Sequence, residues 1–107
     1  MKNISVDGIE ITIGQNQNEN QKLLEEMKPE HSWFHIENLP SAHLTIPISY
    51  ETIKKQSIYR IALELKKNSK YKKENNISVI YTHRKHLKLT NTPGKVITQN
   101  KIQRIKV

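Results

Sequence analysis

The sequence predicts an α+β domain in which a mixed or antiparallel sheet, with hairpins at both ends of the chain, packs against one long and one short helix. Asp7-Gly8 separates two alternating segments, the strongest hairpin signal, because a type I′ turn needs positive φ at both central positions. A second pair of segments, in which apolar and polar residues alternate, flanks residues 37–41. In residues 49–68 the apolar residues recur every three or four positions, which is typical of an amphipathic helix. A chain of 107 residues holds one modest core, so residues 1–107 are predicted to form a single domain.

The first hairpin is expected to join residues 3–6 to residues 9–13. A polar stretch follows, and Asn18 is a candidate N-cap for a short helix from about residue 19 to residue 27. Gly14 in a polar turn before a helix is also compatible with a phosphate cradle, because backbone N–H groups there favour anions. The acidic residues that follow weaken that interpretation.

The central segment, residues 31–46, holds the only Trp, the only Phe and three of the five His. Its alternation on both sides of an Asn/Pro/Ser loop predicts two paired strands. Trp33 and Phe34 are predicted to be core residues, since buried aromatic side chains contribute large apolar areas. His35 and His43 are expected to lie near the strand ends and to face each other across the loop.

The longest helix is predicted to begin at the N-cap Ser49 and to run to about Asn68. One face is apolar, with Ile53, Ile61 and Leu65 among its residues. The other face is basic and provides the candidate RNA-binding residues Lys54, Lys55, Arg60, Lys66 and Lys67. A structural role stays open for each single lysine, because long lysine stems also cover apolar surface and cations suit a helix C-terminus.

The C-terminal third is predicted to contain a buried strand over residues 77–82, with Tyr81 in the core. The densest cationic segment follows, in what is expected to be an exposed connection, and its candidate RNA-binding residues are His83, Arg84, Lys85, His86 and Lys88. Pro93-Gly94 marks a turn, and Lys95 beyond it is a further candidate. Residues 95–99 and 103–107 are expected to form a final hairpin.

Charge is distributed unevenly along the chain. Net charge is +8, but residues 1–50 carry three Lys against seven acids, a net of −4, and residues 51–107 carry fifteen Lys and Arg against three acids, a net of +12. This asymmetry predicts one surface for a polyanion: nucleic acid, an anionic membrane or an acidic protein. The chain has no Cys, and its first residues contain no apolar run long enough for a signal peptide or a membrane span, so a cytoplasmic location is expected, with the nucleus as the alternative.

An enzyme would have to use the histidines. His31, His35 and His43 are conceivable metal ligands, but their spacing does not establish the geometry a metal needs. Ser41 lies two residues before His43, which matches no known nucleophile motif. We therefore expect no enzyme, no metal, no cofactor and no small-molecule substrate.

Four separated motifs carry a resemblance to a known family. Trp33-Phe34-His35 precedes Ser41-Ala42-His43, and further motifs lie at residues 7–20, 79–82 and 93–96. In this order they resemble the NFACT-R domain, the RNA-binding part of ribosome quality-control factors, which also occurs as a short stand-alone eukaryotic protein. Ser-Ala-His, where many members have Gly-Ser-His, is closer to the stand-alone form.

The resemblance implies an RNA-binding module without catalytic residues. It implies a family-motif loop, for which a role in binding stays open, formed by Gln15, Asn16, Asn18, His35, Ser41 and His43. His35 and His43 are expected to order this loop through hydrogen bonds or to contact a phosphate or a base. The expected partner is the ribosome, through rRNA at or beside a tRNA site and in competition with tRNA, and the expected role is translation regulation or ribosome dormancy. The alternative is an adaptor that binds DNA or an acidic partner with the same basic face. Sequence does not give the oligomeric state, although a monomer is favoured.

Overall fold

The computed structural model describes residues 1–107. Its eight strands are Lys2–Val6 (β1), Ile9–Gly14 (β2), Ser32–Ile36 (β3), His43–Ile46 (β4), Ser78–His83 (β5), Leu87–Leu89 (β6), Val96–Thr98 (β7) and Gln103–Lys106 (β8). The two α-helices are Gln17–Glu26 (α1) and Lys55–Lys67 (α2), and 3-10 turns lie at Tyr50–Thr52 and Arg84–His86. The α+β class is confirmed. Neither helix has the length and hydropathy needed to cross a bilayer.

Six strands form one antiparallel sheet in the order β1-β2-β4-β3-β5-β8, and β6 and β7 form a separate two-stranded sheet. The predicted first hairpin is confirmed, with Asp7 at φ 53° and Gly8 at φ 79°. The two central strands also pair as predicted, with Trp33 opposite Thr45 and Phe34 opposite Leu44. Three of the four motif segments therefore contribute neighbouring strands, β2, β4, β3 and β5, to the middle of the sheet. The fourth, residues 93–96, lies in the β6–β7 hairpin.

The two faces of the main sheet are covered by different elements. Phe34 and Ile36 lie in the larger core together with Ile61 and Leu65 of α2. Because successive side chains of a strand point to opposite faces, Trp33 lies on the other side of the sheet. There it packs with Leu24 of α1, Ile80 of β5 and Leu87 of β6. The predicted core residues Trp33, Phe34 and Tyr81 are all buried.

The first helix begins earlier than predicted. Its N-cap is Asn16, not Asn18, and the Asn16 side chain accepts a hydrogen bond from the Glu19 backbone N–H at 2.9 Å. Both asparagines are chemically suitable caps. The β2 strand ends at Gly14, so the chain is already turning at Asn16, and this tertiary constraint selects the earlier residue.

The second helix is shorter than predicted. Ser49 does act as a cap, because its hydroxyl accepts from the Glu51 backbone N–H at 3.1 Å, but it caps only a single 3-10 turn. Ile53 and Lys54 are extended, and α2 proper begins at Lys55. The apolar residues keep a helical spacing across this break because the segment that holds Tyr50 and Ile53, and α2 after it, pack against the same core.

The final hairpin between residues 95–99 and 103–107 was a wrong prediction. A hairpin does form near the C-terminus, but it joins β6 to β7. The chain then turns at Lys101, which has φ 80°, and β8 adds to the edge of the main sheet beside β5. The basic connection is also less exposed than expected, because His83 and Leu87 are buried.

Candidate nucleic-acid interface

A surface cleft of about 690 Å³ lies on the face of the sheet opposite α2. Its walls are the start of α1, the loop between β3 and β4, and the loop of the β6–β7 hairpin. It brings together six of the sequence-predicted residues: Gln15, Asn16, His35, Ser41, His43 and Lys95. These residues are up to 80 positions apart in the chain, so the fold rather than local sequence assembles them.

The floor of the cleft is a group of three rings. Trp33 Nε1–H donates to His43 Nδ1 at 3.0 Å, in a buried hydrogen bond. His35 is stacked on the Trp33 indole, with ring centroids 5.4 Å apart and an angle of 7° between the planes. His35 and His43 meet edge to face at 5.1 Å, which confirms that they face each other. Because Nδ1 of His43 is an acceptor, the neutral ring carries its proton on Nε2.

Both histidines on the floor are neutral at physiological pH. Burial, together with a smaller electrostatic effect of the adjacent His35, lowers the pKa of His43 from 6.5 to about 3. Burial also lowers the pKa of His35, although a backbone hydrogen bond to Ile36 opposes the shift. Desolvation disfavours the charged form of an imidazole, so the floor of the cleft carries no positive charge.

Asn20 is a wall residue that sequence reasoning missed. It is buried, and its Oδ1 accepts from the His43 backbone N–H at 3.3 Å, which ties α1 to β4. Gly14 makes room for this contact, because a Cβ at that position would overlap the Asn20 side-chain oxygen. Asn18 is exposed and lies outside the cleft. The spacing of Asn20 with Leu23 and Leu24 on the buried side of α1 is the signal that could have identified it.

Gly94 fixes the opposite wall. Its φ is +78°, and its backbone N–H donates to Gln21 Oε1 of α1 at 2.8 Å. A Cβ at position 94 would come within 2.9 Å of the Gln17 carbonyl oxygen, so only glycine allows this approach. The neighbouring Lys95 is thereby held at the rim of the cleft.

One wall of the cleft continues into a strongly cationic segment. Residues 75–107, which form β5 to β8, contain seven Lys and Arg and no acid. Four of these side chains form no ion pair or hydrogen bond within the protein, and we call them the free-lysine set: Lys88, Lys95, Lys101 and Lys106. Lys88 and Lys95 were predicted from the sequence, whereas Lys101 and Lys106 were not, although the absence of acids after Glu74 is visible in the sequence.

Other predicted cations in this segment are engaged in the fold. Arg84 Nε donates to the Leu24 carbonyl at 2.8 Å, and its Nη1 donates to the Leu87 carbonyl at 3.0 Å. Its guanidinium therefore links α1 to β6.

The remaining predicted residues of this segment are also paired or lie away from the cleft. Lys85 is paired with Glu30 at 2.9 Å. The ring of His83 is buried, and its Nε2 lies 2.8 Å from the Ser49 hydroxyl. His86 is half-buried in the 3-10 turn and lies outside the cleft.

The basic residues of α2 lie on the other side of the molecule from the cleft. Arg60 is paired with Asp7 at 2.8 Å, and Lys67 is paired with Glu64 at 3.5 Å. The ammonium groups of Lys54, Lys55 and Lys66 have no acidic partner. The structure therefore divides the sequence-predicted basic residues between two surfaces, and only the β5–β8 surface adjoins the motif residues.

The histidines considered as metal ligands do not form a metal site. His31 Nδ1 accepts a hydrogen bond from the Lys28 backbone N–H at 3.2 Å, and His31 does not line the cleft with His35 and His43. No group of three or more His, Asp or Glu side chains is placed to hold a metal. The cleft offers rings, amides and one ammonium group instead.

Comparison with protein families agrees with the motif residues. The family model described as the NFACT protein RNA binding domain matches residues 2–103. The chain belongs to the NFACT-R family. This family is an RNA-binding domain and not a catalytic family, and the matched residues cover every wall of the cleft.

Similar proteins extend beyond the length of this chain. Coiled-coil domain-containing protein 25 from Bos taurus and from Mus musculus are each 35% identical over 85 residues, which covers 75% of this chain. The chain spans 41% of the length of these curated relatives. The C-terminal structure of the fibronectin/fibrinogen-binding protein from Streptococcus suis has the same fold, with a TM-score of 0.85 at 24% identity, over 98% of this chain and 43% of that chain.

Proposed function

We propose that this NFACT-R domain binds ribosomal RNA with the cleft and the adjoining β5–β8 surface. The observation that carries the proposal is the placement of a segment with seven cations and no acid beside the cleft that collects the motif residues. Lysine side chains neutralise phosphates and release counterions, which supplies affinity without sequence preference. The cleft supplies neutral rings and amides, which suit contacts to bases.

The free-lysine set is the best candidate for phosphate contacts. A cation that is already paired with a carboxylate must give up that partner to bind RNA, whereas a solvated lysine loses only water and counterions. Arg84 is a poorer candidate, since its guanidinium holds two carbonyl groups of the fold. We assign Arg84 a positioning role at the interface.

The proposed partner is the ribosome, at or beside a tRNA site, where the domain would compete with tRNA. Folded RNA is recognised largely through shape, backbone and unpaired bases, and a basic surface next to a ring-lined cleft offers contacts of these kinds. A module without catalytic residues acts there by occupancy. Occupancy of a functional site regulates translation or keeps ribosomes dormant in the cytoplasm.

Sedimentation with ribosomes tests this proposal. The native protein should comigrate with ribosomes at low salt and dissociate as salt rises, because phosphate contacts weaken with ionic strength. Replacing the free-lysine set by Gln should abolish comigration. A control with the same charge change, Lys54, Lys55, Lys70 and Lys72 to Gln, should retain it. These four lysines lie outside the cleft, at the start of α2 or just before it and in the segment after α2 whose Tyr71 packs against the core on the α2 side of the sheet.

Two results would contradict the proposal. Comigration that survives removal of accessible rRNA by nuclease would point to a protein partner. Duplex DNA that competes as well as rRNA at physiological salt would favour a DNA-binding adaptor. Displacement of bound protein by excess deacylated tRNA would support the proposed site.

A further inference from the structure

The Trp33–His35 stack on the cleft floor ends at the His35 ring, on which no further ring is stacked. Trp33 is 2% exposed and is covered by His35, whereas His35 is half-buried and lines the cleft. No third ring stacks on His35: its other aromatic neighbour, His43, meets it edge to face. A two-ring stack that ends at a cleft provides a platform for a further flat ring.

The chemistry of the floor suits an uncharged ring rather than a phosphate. His35 and His43 are both kept neutral by burial, so neither supplies the positive charge that a phosphate needs. The only cation that lines the cleft is Lys95, at its rim. A ligand with a flat uncharged part inside and an anionic part at the rim matches this arrangement.

The walls supply the polar groups that read a base edge. Gln15, Gln17 and Asn20 line the cleft, and each amide carries both donors and an acceptor. The Oδ1 atom of Asn20 accepts a hydrogen bond from the His43 backbone N–H, so its NH₂ group remains to donate to a ligand. Nucleobases also present both donors and acceptors on their edges.

We propose that the cleft binds one unpaired nucleobase, stacked on His35 and contacted by the wall amides, with its phosphate at Lys95. This deepens the proposed function, on which it rests for the source of the base. The volume of about 690 Å³ falls within the range of about 300–1,000 Å³ typical of small-ligand pockets, which is enough space for one nucleotide. The base comes either from a looped-out position in RNA or from a free nucleotide.

The test separates base binding from phosphate binding. The probes are two octamers with the same number of phosphates: one is a fully abasic ribose-phosphate strand, and the other carries a single base near its centre, made in four versions. Trp33 is the only Trp and lies one ring from the proposed base, so its fluorescence reports occupancy. We expect at least one of the single-base octamers to bind about tenfold more tightly than the abasic octamer.

Substitutions at position 35 test whether the tighter binding of a single-base octamer depends on the His35 ring. His35→Ala should make the single-base and abasic octamers bind with equal affinity, whereas His35→Phe should keep the tighter binding of the single-base octamer because it retains a flat ring. His31→Ala is the matched control, since His31 lies outside the cleft. Circular dichroism and unfolding curves of the position-35 variants show whether each variant is folded, and the two variants together keep the test valid if one of them is unstable.

The outcomes distinguish this inference from the proposed function. If the native protein binds the abasic octamer and all four single-base octamers equally, the base site is excluded while RNA binding stands. If it binds none of these octamers or longer rRNA fragments at low salt, both proposals fail. A base advantage that survives His35→Ala would overturn the assignment to His35. Competition by the nucleoside monophosphate of the preferred base would show that one nucleotide is sufficient. A base advantage without such competition would identify the RNA strand as the source.

Discussion

At the scale of single residues, the hydrogen bond between Trp33 and His43 organises the candidate site. It joins two buried side chains on neighbouring strands at 3.0 Å and sets the tautomer of His43. The same contact holds the indole in place under His35. A polar contact within a buried group of rings is energetically important because a broken partner cannot find water.

Trp33→Phe should reveal the importance of this bond. The substitution removes the donor, leaves Nδ1 of His43 without a partner and reduces the buried volume. We expect the free energy of unfolding to fall by about 1–3 kcal/mol from the lost hydrogen bond alone. Urea denaturation measures the change, and Tyr59→Phe, at a residue 43% exposed, is the control with an expected change below about 0.5 kcal/mol. Equal stability of the two variants would refute the role of the bond.

The depressed pKa of His43 predicts loss of stability in acid. Its pKa is about 3 in the folded protein, whereas that of an exposed imidazole is 6.5. As pH falls below 6.5 the unfolded chain takes up the proton first, so the stabilising contribution is complete above pH 6.5 and is lost progressively down to about pH 3. The pKa of the half-buried neighbour His35 is also lowered by burial, so its contribution has the same sign.

His43→Asn isolates this effect, because an amide oxygen can still accept from Trp33 Nε1–H while the side chain no longer titrates. Between pH 6 and pH 4 we expect the native protein to lose up to about 1.4 kcal/mol per pH unit more than the variant. Urea unfolding at several pH values measures both slopes. Parallel slopes would mean that His43 is protonated in the folded protein.

At the scale of elements, the cleft depends on how α1 and the β6–β7 hairpin dock. Gly14 and Gly94 allow close approaches that any side chain would obstruct. Asn20 links α1 to β4, and Gln21 links α1 to the hairpin loop. The start of α1 is therefore the element that joins the sheet to the hairpin.

Asn16 should stabilise α1 more than Asn18 does. Its side chain caps the helix, so Asn16→Ala should lower the free energy of unfolding by about 1 kcal/mol, whereas Asn16→Asp should retain the cap. Asn18→Ala, at an exposed residue, should change it by less than about 0.5 kcal/mol. Thermal and urea unfolding measure all three variants, and the reverse order for the two alanine variants would restore Asn18 as the cap.

Local patterns predicted the elements whose signals are local. The turn at Asp7-Gly8 and the alternation around Trp33 gave the first two strand pairs, and the pairing confirmed both. The partners of β7 and β8 were not predictable in the same way, because short strands of similar composition can pair with several edges. Only the positions of β5 and β6 decide where each one binds.

The candidate site was predictable in part for the same reason. His35 and His43 were expected to meet because a single loop joins their strands, and they do. Asn20 and Gly94 were missed as wall residues, since their roles arise from contacts between α1, β4 and the hairpin. Arg84 looked like a free cation in the sequence, but its partners are carbonyl groups on distant elements.

At the scale of the whole molecule, the charge asymmetry becomes a difference between surfaces. The C-terminal cations lie beside the motif cleft, whereas the lysines of α2 lie on the opposite side of the sheet. A net charge of +8 alone would draw RNA to any part of the surface. Because the unpaired cations of the β5–β8 surface adjoin the cleft, we propose that RNA binds on the cleft side of the sheet.

The dependence of rRNA-fragment affinity on salt tests this claim most directly. It should be measured for the native protein, for the variant with the free-lysine set changed to Gln, and for the variant with Lys54, Lys55, Lys70 and Lys72 changed to Gln. Each lost phosphate contact lowers the slope of log affinity against log salt by about 0.7–0.9. We predict a slope lower by about 3 for the free-lysine variant and little change for the α2-side variant. A lower slope for the α2-side variant and an unchanged slope for the free-lysine variant would instead place the RNA interface on the α2 side of the sheet.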